Sequence, residues 1–265
     1  MASSKKKYNT GLVLSGGGTR GFAHLGVLKA LEEHNIKPDI IAGVSAGSIA
    51  GAFYADGKSP GEALELLANH KLLDYLELTI PKKTGLVGMK GFEKTLKEHL
   101  NAKTFEELKI PLIVFAVNMN TAEYVRFDKG DLITAVKASS SIPVVFPPVE
   151  IDGHQYLDGG IINNFPIEPL EDICKTIIGV NVNPIGPIED LGNLRTIAER
   201  TFHLTLRSQA FSKEDRCDIY IEPEGLEKYS LLDVSKAREI FDIGYNKAKE
   251  VLARRDRRSS RSSSR

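Results

Sequence analysis

The sequence predicts an α/β protein with a mainly parallel central sheet and helices packed on its faces. Three observations carry that expectation. The first 55 residues alternate strand, helix, strand, helix, an order that requires parallel strands joined by crossover helices. Later apolar runs of strand length continue to alternate with segments of helical period. The composition is that of a globular chain, with 265 residues, 42% hydrophobic and 26% charged, and it shows neither an internal repeat nor a linker before the last dozen residues.

The short apolar run Gly11–Leu14 gives the first strand, and Ser15–Gly21 is a glycine loop. From Phe22 to His34 the residues Phe22, Leu25, Val27, Leu28 and Leu31 recur at helical spacing. Asp39–Gly43 reads as a buried strand that feeds a helix ending at Tyr54. Helices are expected at Pro60–Asn69, Lys90–Leu100 and Thr104–Leu108, and strands at Pro111–Asn118 and Glu123–Phe127. Asp131–Ser139 reads as a helix, and Ile151–Leu157 as a hairpin about Asp152-Gly153. Thr176–Val182, Leu194–Ala210, Asp218–Ile221 and Ser235–Ala253 complete the order as strand, helix, strand, helix. Leu72–Met89 fits neither period and reads equally as a loop over a site or as a surface connection.

The domain expectation is a flexible basic start at 1–9, one catalytic-sized domain at 10–253, and a disordered Arg/Ser tail at 254–265. The chain carries 35 Lys and Arg against 35 Asp and Glu, but residues 1–7 and 254–265 hold nine of the bases and one of the acids. The body is left with 26 bases and 34 acids, which argues against a nucleic-acid partner. The tail reads either as a solvated end or as an electrostatic contact with anionic lipid or RNA, open to switching by Ser phosphorylation. Cys174 and Cys217 are too few for a disulfide framework, so a reducing, cytoplasmic setting is expected. Leu12-Val13-Leu14 is too short for an export signal. The longest uncharged stretch, Ile40–Ala55, falls short of the roughly 20 residues a membrane span needs.

Gly43-Val44-Ser45-Ala46-Gly47 is a G-x-S-x-G pentapeptide between a strand and its helix. There a serine stands on a sharp turn with its hydroxyl raised above the sheet edge, at a helix N-terminus that favours developing negative charge. The same small residues would also suit close helix–sheet packing. Gly16-Gly17-Gly18-Thr19-Arg20-Gly21 formally satisfies G-x-G-x-x-G, the dinucleotide fingerprint. That reading wants an acid at the end of the second strand, where Gly43-Val44-Ser45 stands instead. The loop fits better as an oxyanion hole, with Gly16, Gly17, Gly18 and Thr19 as candidate N–H donors beside Ser45. A base for Ser45 is less legible. His203 follows an intervening acid, as an α/β-hydrolase triad requires, and Asp158 and Asp152 both begin Asp-Gly pairs; spacing does not choose among them.

Four blocks in one order resemble the patatin-like phospholipases, lipid acyl hydrolases with small bacterial members. They are Gly16–Gly21, the 43–47 elbow, Ala138-Ser139-Ser140-Ser141-Ile142-Pro143 with Phe146-Pro147-Pro148, and Asp158-Gly159-Gly160 followed by Asn163, Asn164 and Pro166. The likeness covers roughly residues 10–185. It implies a three-layer α/β/α fold and a Ser–Asp dyad working without histidine, with Ser45 as nucleophile, Asp158 as base, and no metal or cofactor. It implies a lipid ester as partner and a peripheral contact with the membrane. Arg20 is either a ligand for a phospholipid phosphate or a brace for the glycine loop. The alternatives are an acyltransferase on the same scaffold and a non-catalytic lipid-binding protein.

Overall fold

The computed structural model describes residues 6–69, 89–187, 192, 197, 200, 201, 204–206, 212–230 and 234–262. In chain order the strands are β1 (Tyr8–Leu14), β2 (Ile40–Val44), β3 (Leu112–Asn118), β4 (Glu123–Phe127), β5 (Val149–Ile151), β6 (His154–Asp158), β7 (Cys174–Val180) and β8 (Ile219–Ile221). The helices are α1 (Phe22–Glu33), α2 (Ala46–Ala55), α3 (Pro60–Asn69), α4 (Lys90–His99), α5 (Leu132–Ser139), the one-turn α6 (Glu168–Glu171) and α7 (Ala237–Ser262).

All eight strands join one sheet in the order β5-β6-β3-β2-β1-β7-β8, with β4 paired to β3 off that path. The pairs β1–β2, β2–β3, β1–β7 and β7–β8 are parallel. Parallel strands are buried on both faces, which is why β2 and β3 read as unbroken apolar runs. Leu12, Leu14, Ile41, Leu112, Val114, Ile178 and Val180 face one core with α1, α2, α5 and α7. Val13, Ile40, Ala42, Val44, Ile113, Phe115 and Ile177 face the other, against Phe165, Ile167 and Leu170 around α6.

The edge of β3 has a feature that decides the site. β2 pairs with Leu112–Phe115 and β6 with Ala116–Asn118, while β4 spans Val114–Asn118 and therefore occupies the opposite edge. β2 and β6 thus share one edge and run toward each other. Val44 ends opposite Phe115 and Asp158 ends opposite Ala116, on consecutive residues of β3.

The order of elements agrees with the sequence reading, and the boundaries move. The expected helix at Thr104–Leu108 is a 3-10 turn, Phe105–Glu107, entered through a Thr104/Glu107 capping box. β1 begins at Tyr8, inside the stretch expected to be flexible, because Tyr8 pairs with Cys174 at the end of β7. α7 runs to Ser262, through most of the stretch expected to be disordered. Ala237, Ile240, Phe241, Ala248 and Leu252 bury against the core and form the helix; a helix already nucleated then continues at little cost. The packing of α7 on α1 is close because both contact points are glycines: a side chain at Gly26 would strike the Phe241 carbonyl, and one at Gly244 the Ala23 carbonyl. The segment at 72–88 and most of the helix expected at 194–210, His203 included, lie outside the described residues.

Candidate active site

Ser45 joins β2 to α2 at φ 52°, ψ −125°, a conformation that residues with a Cβ rarely adopt. The turn is that sharp because α2 starts immediately above the sheet. Gly47 lies against the Leu14 carbonyl, where a Cβ would collide, and a Cβ at Gly43 would sit 2.6 Å from the Gly47 carbonyl oxygen. These glycines serve the packing and the elbow at once, so the two readings of the pentapeptide describe one geometry. The Ser45 carbonyl accepts from the Ser48 and Ile49 N–H groups and from the Ser48 hydroxyl at 2.6 Å.

Ser45 and Asp158 line the same cleft, where Ser45 favours the charged form of the Asp158 carboxylate, and Gly160 N–H donates to Asp158 Oδ1 at 2.8 Å. Ser45 is 6% exposed and Asp158 2%. Val44 and Phe115 close the space beneath, since a Cβ on Gly159 would strike both, and Tyr124 stacks on Phe115 with ring centroids 4.8 Å apart. Burial raises the Asp158 pKa from 3.8 to about 6, against the influence of Ser45 and the Gly160 N–H, which favour its charged form.

The glycine loop stands across from this pair. Gly17 and Gly18 line a small cleft with Ser45, Ile142, Asp158, Asn164 and Leu206. Among the described residues the N–H groups of Gly17 and Gly18 meet no protein acceptor. Gly16 differs from the expectation: its N–H donates to the Asn164 carbonyl at 3.4 Å, so it is not a free donor. Its carbonyl accepts from Asn183 Nδ2 at 2.6 Å and Asn164 Nδ2 at 3.5 Å. A peptide unit is planar, so clamping the Gly16 carbonyl also fixes the direction of the Gly17 N–H. Thr19 is absent from the cleft lining; its hydroxyl donates to the Ser230 carbonyl at 2.5 Å.

Arg20, expected as a phosphate ligand or a brace, takes the second role. It is 1% exposed, with Nε and Nη2 donating to the Tyr229 carbonyl at 3.2 and 3.1 Å and Nη2 to that of Glu227 at 3.2 Å. It ties the glycine loop to the chain before α7. Asp152 sits exposed in the β5–β6 turn at φ 51°, at the opposite end of β6 from Asp158. No histidine lines the cleft among the described residues. His24 is buried beneath the loop with Nε2 2.8 Å from the Ser15 carbonyl, and burial lowers its pKa to about 4.

Two contacts that the residue pattern did not reveal brace the pair. Ser139, the last residue of α5, accepts the Ser45 N–H on its Oγ at 2.9 Å, and the Ser141 carbonyl accepts the Asp158 N–H at 2.9 Å. Both serines lie in a block that carries the family resemblance, but no spacing rule assigns them a task. Asn183 had no sequence signal at all.

A family model described as patatin-like phospholipase matches residues 12–171. The chain belongs to the patatin-like phospholipase family. It is 29% identical to patatin-like phospholipase domain-containing protein 6 of Mus musculus over 91% of its own length and 20% of that protein. It is 27% identical to lysophospholipase NTE1 of Meyerozyma guilliermondii over 91% of its length and 19% of that protein. The chain thus spans about a fifth of the curated relatives it matches. Among solved structures, VipD from Legionella pneumophila superposes with a TM-score of 0.55 at 15% identity, covering 93% of this chain and 67% of that one, a likeness of fold. No described helix is long and apolar enough to cross a membrane.

Proposed function

We propose that the chain is a lipid acyl hydrolase that cleaves carboxylic esters of phospholipids or lysophospholipids with a Ser45–Asp158 dyad. The observation that carries this reading is the meeting of the Ser45 elbow and the buried Asp158 carboxylate on the lining of one cleft, beside Gly17 and Gly18. Family membership supports the reaction class, and the lysophospholipase name of a relative supports the substrate class.

Ser45 Oγ attacks the ester carbonyl while Asp158 takes its proton. The carbonyl oxygen becomes an oxyanion held by the N–H groups of Gly17 and Gly18; losing one such donor costs about 3 kcal/mol of transition-state stabilisation. Asp158 then gives the proton to the departing alkoxide, leaving an acyl ester on Ser45. Water enters, Asp158 takes its proton, and the second tetrahedral intermediate collapses to the free acid as Ser45 recovers its hydrogen. A carboxylate is a weak base toward an alcohol, so the raised pKa of Asp158 and the fixed donors both serve the rate.

The test is acid quenching during turnover of a long-chain 4-nitrophenyl ester, followed by mass analysis of the peptide that contains Ser45. The reading expects the acyl mass on Ser45 and no turnover by Ser45→Ala. An acyl group on another residue, or wild-type turnover by Ser45→Ala, would remove Ser45 from its role.

A further inference from the structure

Three of the five large apolar side chains left exposed among the described residues lie within four positions of residues that line the cleft. Besides the glycine loop and the Ser45 elbow, three segments line the cleft, through Ile142, through Asp158 and Asn164, and through Leu206. Each also bears an exposed apolar residue two to four positions away: Val144 at 77%, Ile162 at 43% and Leu204 at 50% exposure. Single exposed apolar residues are ordinary, but one on each of three segments that line a cleft is an arrangement. Val144 adds a second anomaly. It is β-branched, it stands at φ 70°, where a Cβ is strained, and no burial of its side chain compensates.

The same three segments are uncharged. Residues 138–149, 159–167 and 201–206 contain no Asp, Glu, Lys or Arg, although a quarter of the chain is charged. A protein partner would find no ion-pairing group within these stretches, and the described charges beside Asn163, those of Glu168 and Lys213, already pair with each other at 2.8 Å. An anionic lipid surface would find no cation within these stretches, since the neighbouring Lys213 is largely buried and paired with Glu168, and it would meet a body in which acids outnumber bases.

We infer that Val144, Ile162 and Leu204 form a docking rim that inserts into an electrically neutral lipid surface, such as the interface of a phosphatidylcholine aggregate, and sets the cleft mouth against the acyl chains. The inference rests on the acyl hydrolase reading for its occupant. The strained Val144 side chain leaves water when it docks, and a lipid ester passes from the aggregate to Ser45 without crossing bulk solvent. Attraction comes from apolar burial, so it is insensitive to salt, unlike attachment through a basic tail.

The experiment is sedimentation of the full chain with phosphatidylcholine vesicles, for wild type, Val144→Asp and Ile162→Asp, beside turnover of vesicle-borne lipid and of dissolved 4-nitrophenyl butyrate. Removing one apolar anchor and adding a charge is expected to weaken vesicle partition by at least about tenfold. Vesicle turnover should fall by the same factor, butyrate turnover should remain, and wild-type partition should hold between about 0.05 and about 0.5 M salt. Butyrate turnover reports that a variant is folded, and the two variants lie on different segments, so failure of one to fold leaves the other to decide. Equal partition of wild type and the folded variant would overturn the rim. So would binding that requires anionic lipid and disappears in salt, or a wild-type dimer that Val144→Asp dissociates, which would assign the rim to a second copy. Absence of butyrate turnover in wild type would count against the hydrolase reading instead, while vesicle partition still tests the rim.

Discussion

Asp158 is where burial becomes chemistry. Its carboxyl is buried, and desolvation outweighs the favourable contacts of Ser45 and Gly160 in setting a pKa of about 6. A base must be ionised to accept a proton, so kcat/KM for a soluble ester is expected to be low in acid, to rise about tenfold per pH unit below the pKa, and to level off above about pH 6. A profile over pH 5–9, flanked by circular dichroism to confirm folding, measures this, and a rate that is flat from about pH 4.5 to 8 would deny Asp158 that task. At this scale the sequence was only partly legible. The Asp-Gly pairs at 152 and 158 look alike in composition, and only pairing with β3 sends one to an exposed turn and the other beneath the elbow. Arg20 was ambiguous because an arginine in a glycine loop suits a phosphate as well as a carbonyl; its acceptors lie about two hundred positions away, at Glu227 and Tyr229.

Between elements, the sheet alone does not tie the pair together. β2 and β6 meet end to end on one edge of β3 and share no ladder bond, so their separation along that edge needs another support. The end of α5 supplies it, with Ser139 Oγ on the Ser45 N–H and the Ser141 carbonyl on the Asp158 N–H. Ser139 is therefore a positioning residue in the proposed mechanism. Ser139→Ala removes the acceptor and frees a strained backbone, and is expected to lower kcat about 10–100-fold with KM unchanged, because misplacement of a reacting group costs rate rather than affinity. Ser139→Thr keeps the oxygen and should recover most of the loss. Wild-type kcat in Ser139→Ala would contradict the brace. The strand–loop–helix–strand–elbow opening was readable since it is encoded by local periodicity and glycines within 55 residues. The antiparallel arrival of β6, the contacts of Ser139 and the clamp of Asn183 on Gly16 were not, because each depends on registers set by distant segments.

For the whole molecule, the first and last described helices close on each other. α7 packs through Gly244 on α1 at Gly26, and Arg20 ties the glycine loop to the residues just before that helix. The tail looked disordered from composition because its sequence lacks apolar residues, whereas its helix is inherited from the packed part of α7. The fold also bears a cost for its site. With a folded pKa of about 6 against 3.8 unfolded, Asp158 costs nothing below pH 3.8; the penalty grows between those values and is complete above about pH 6. Two units correspond to about 3 kcal/mol of global stability at pH 8. The most direct test of the account is therefore Asp158→Asn assayed twice on one sample, for ester turnover and for urea unfolding at pH 8. The expected variant is folded, at least about 1,000-fold less active, and more stable than wild type by about 2–3 kcal/mol, a gain that disappears near pH 4. Retained turnover, or an inactive variant less stable than wild type at pH 8, would contradict a buried Asp158 acting as the base for Ser45.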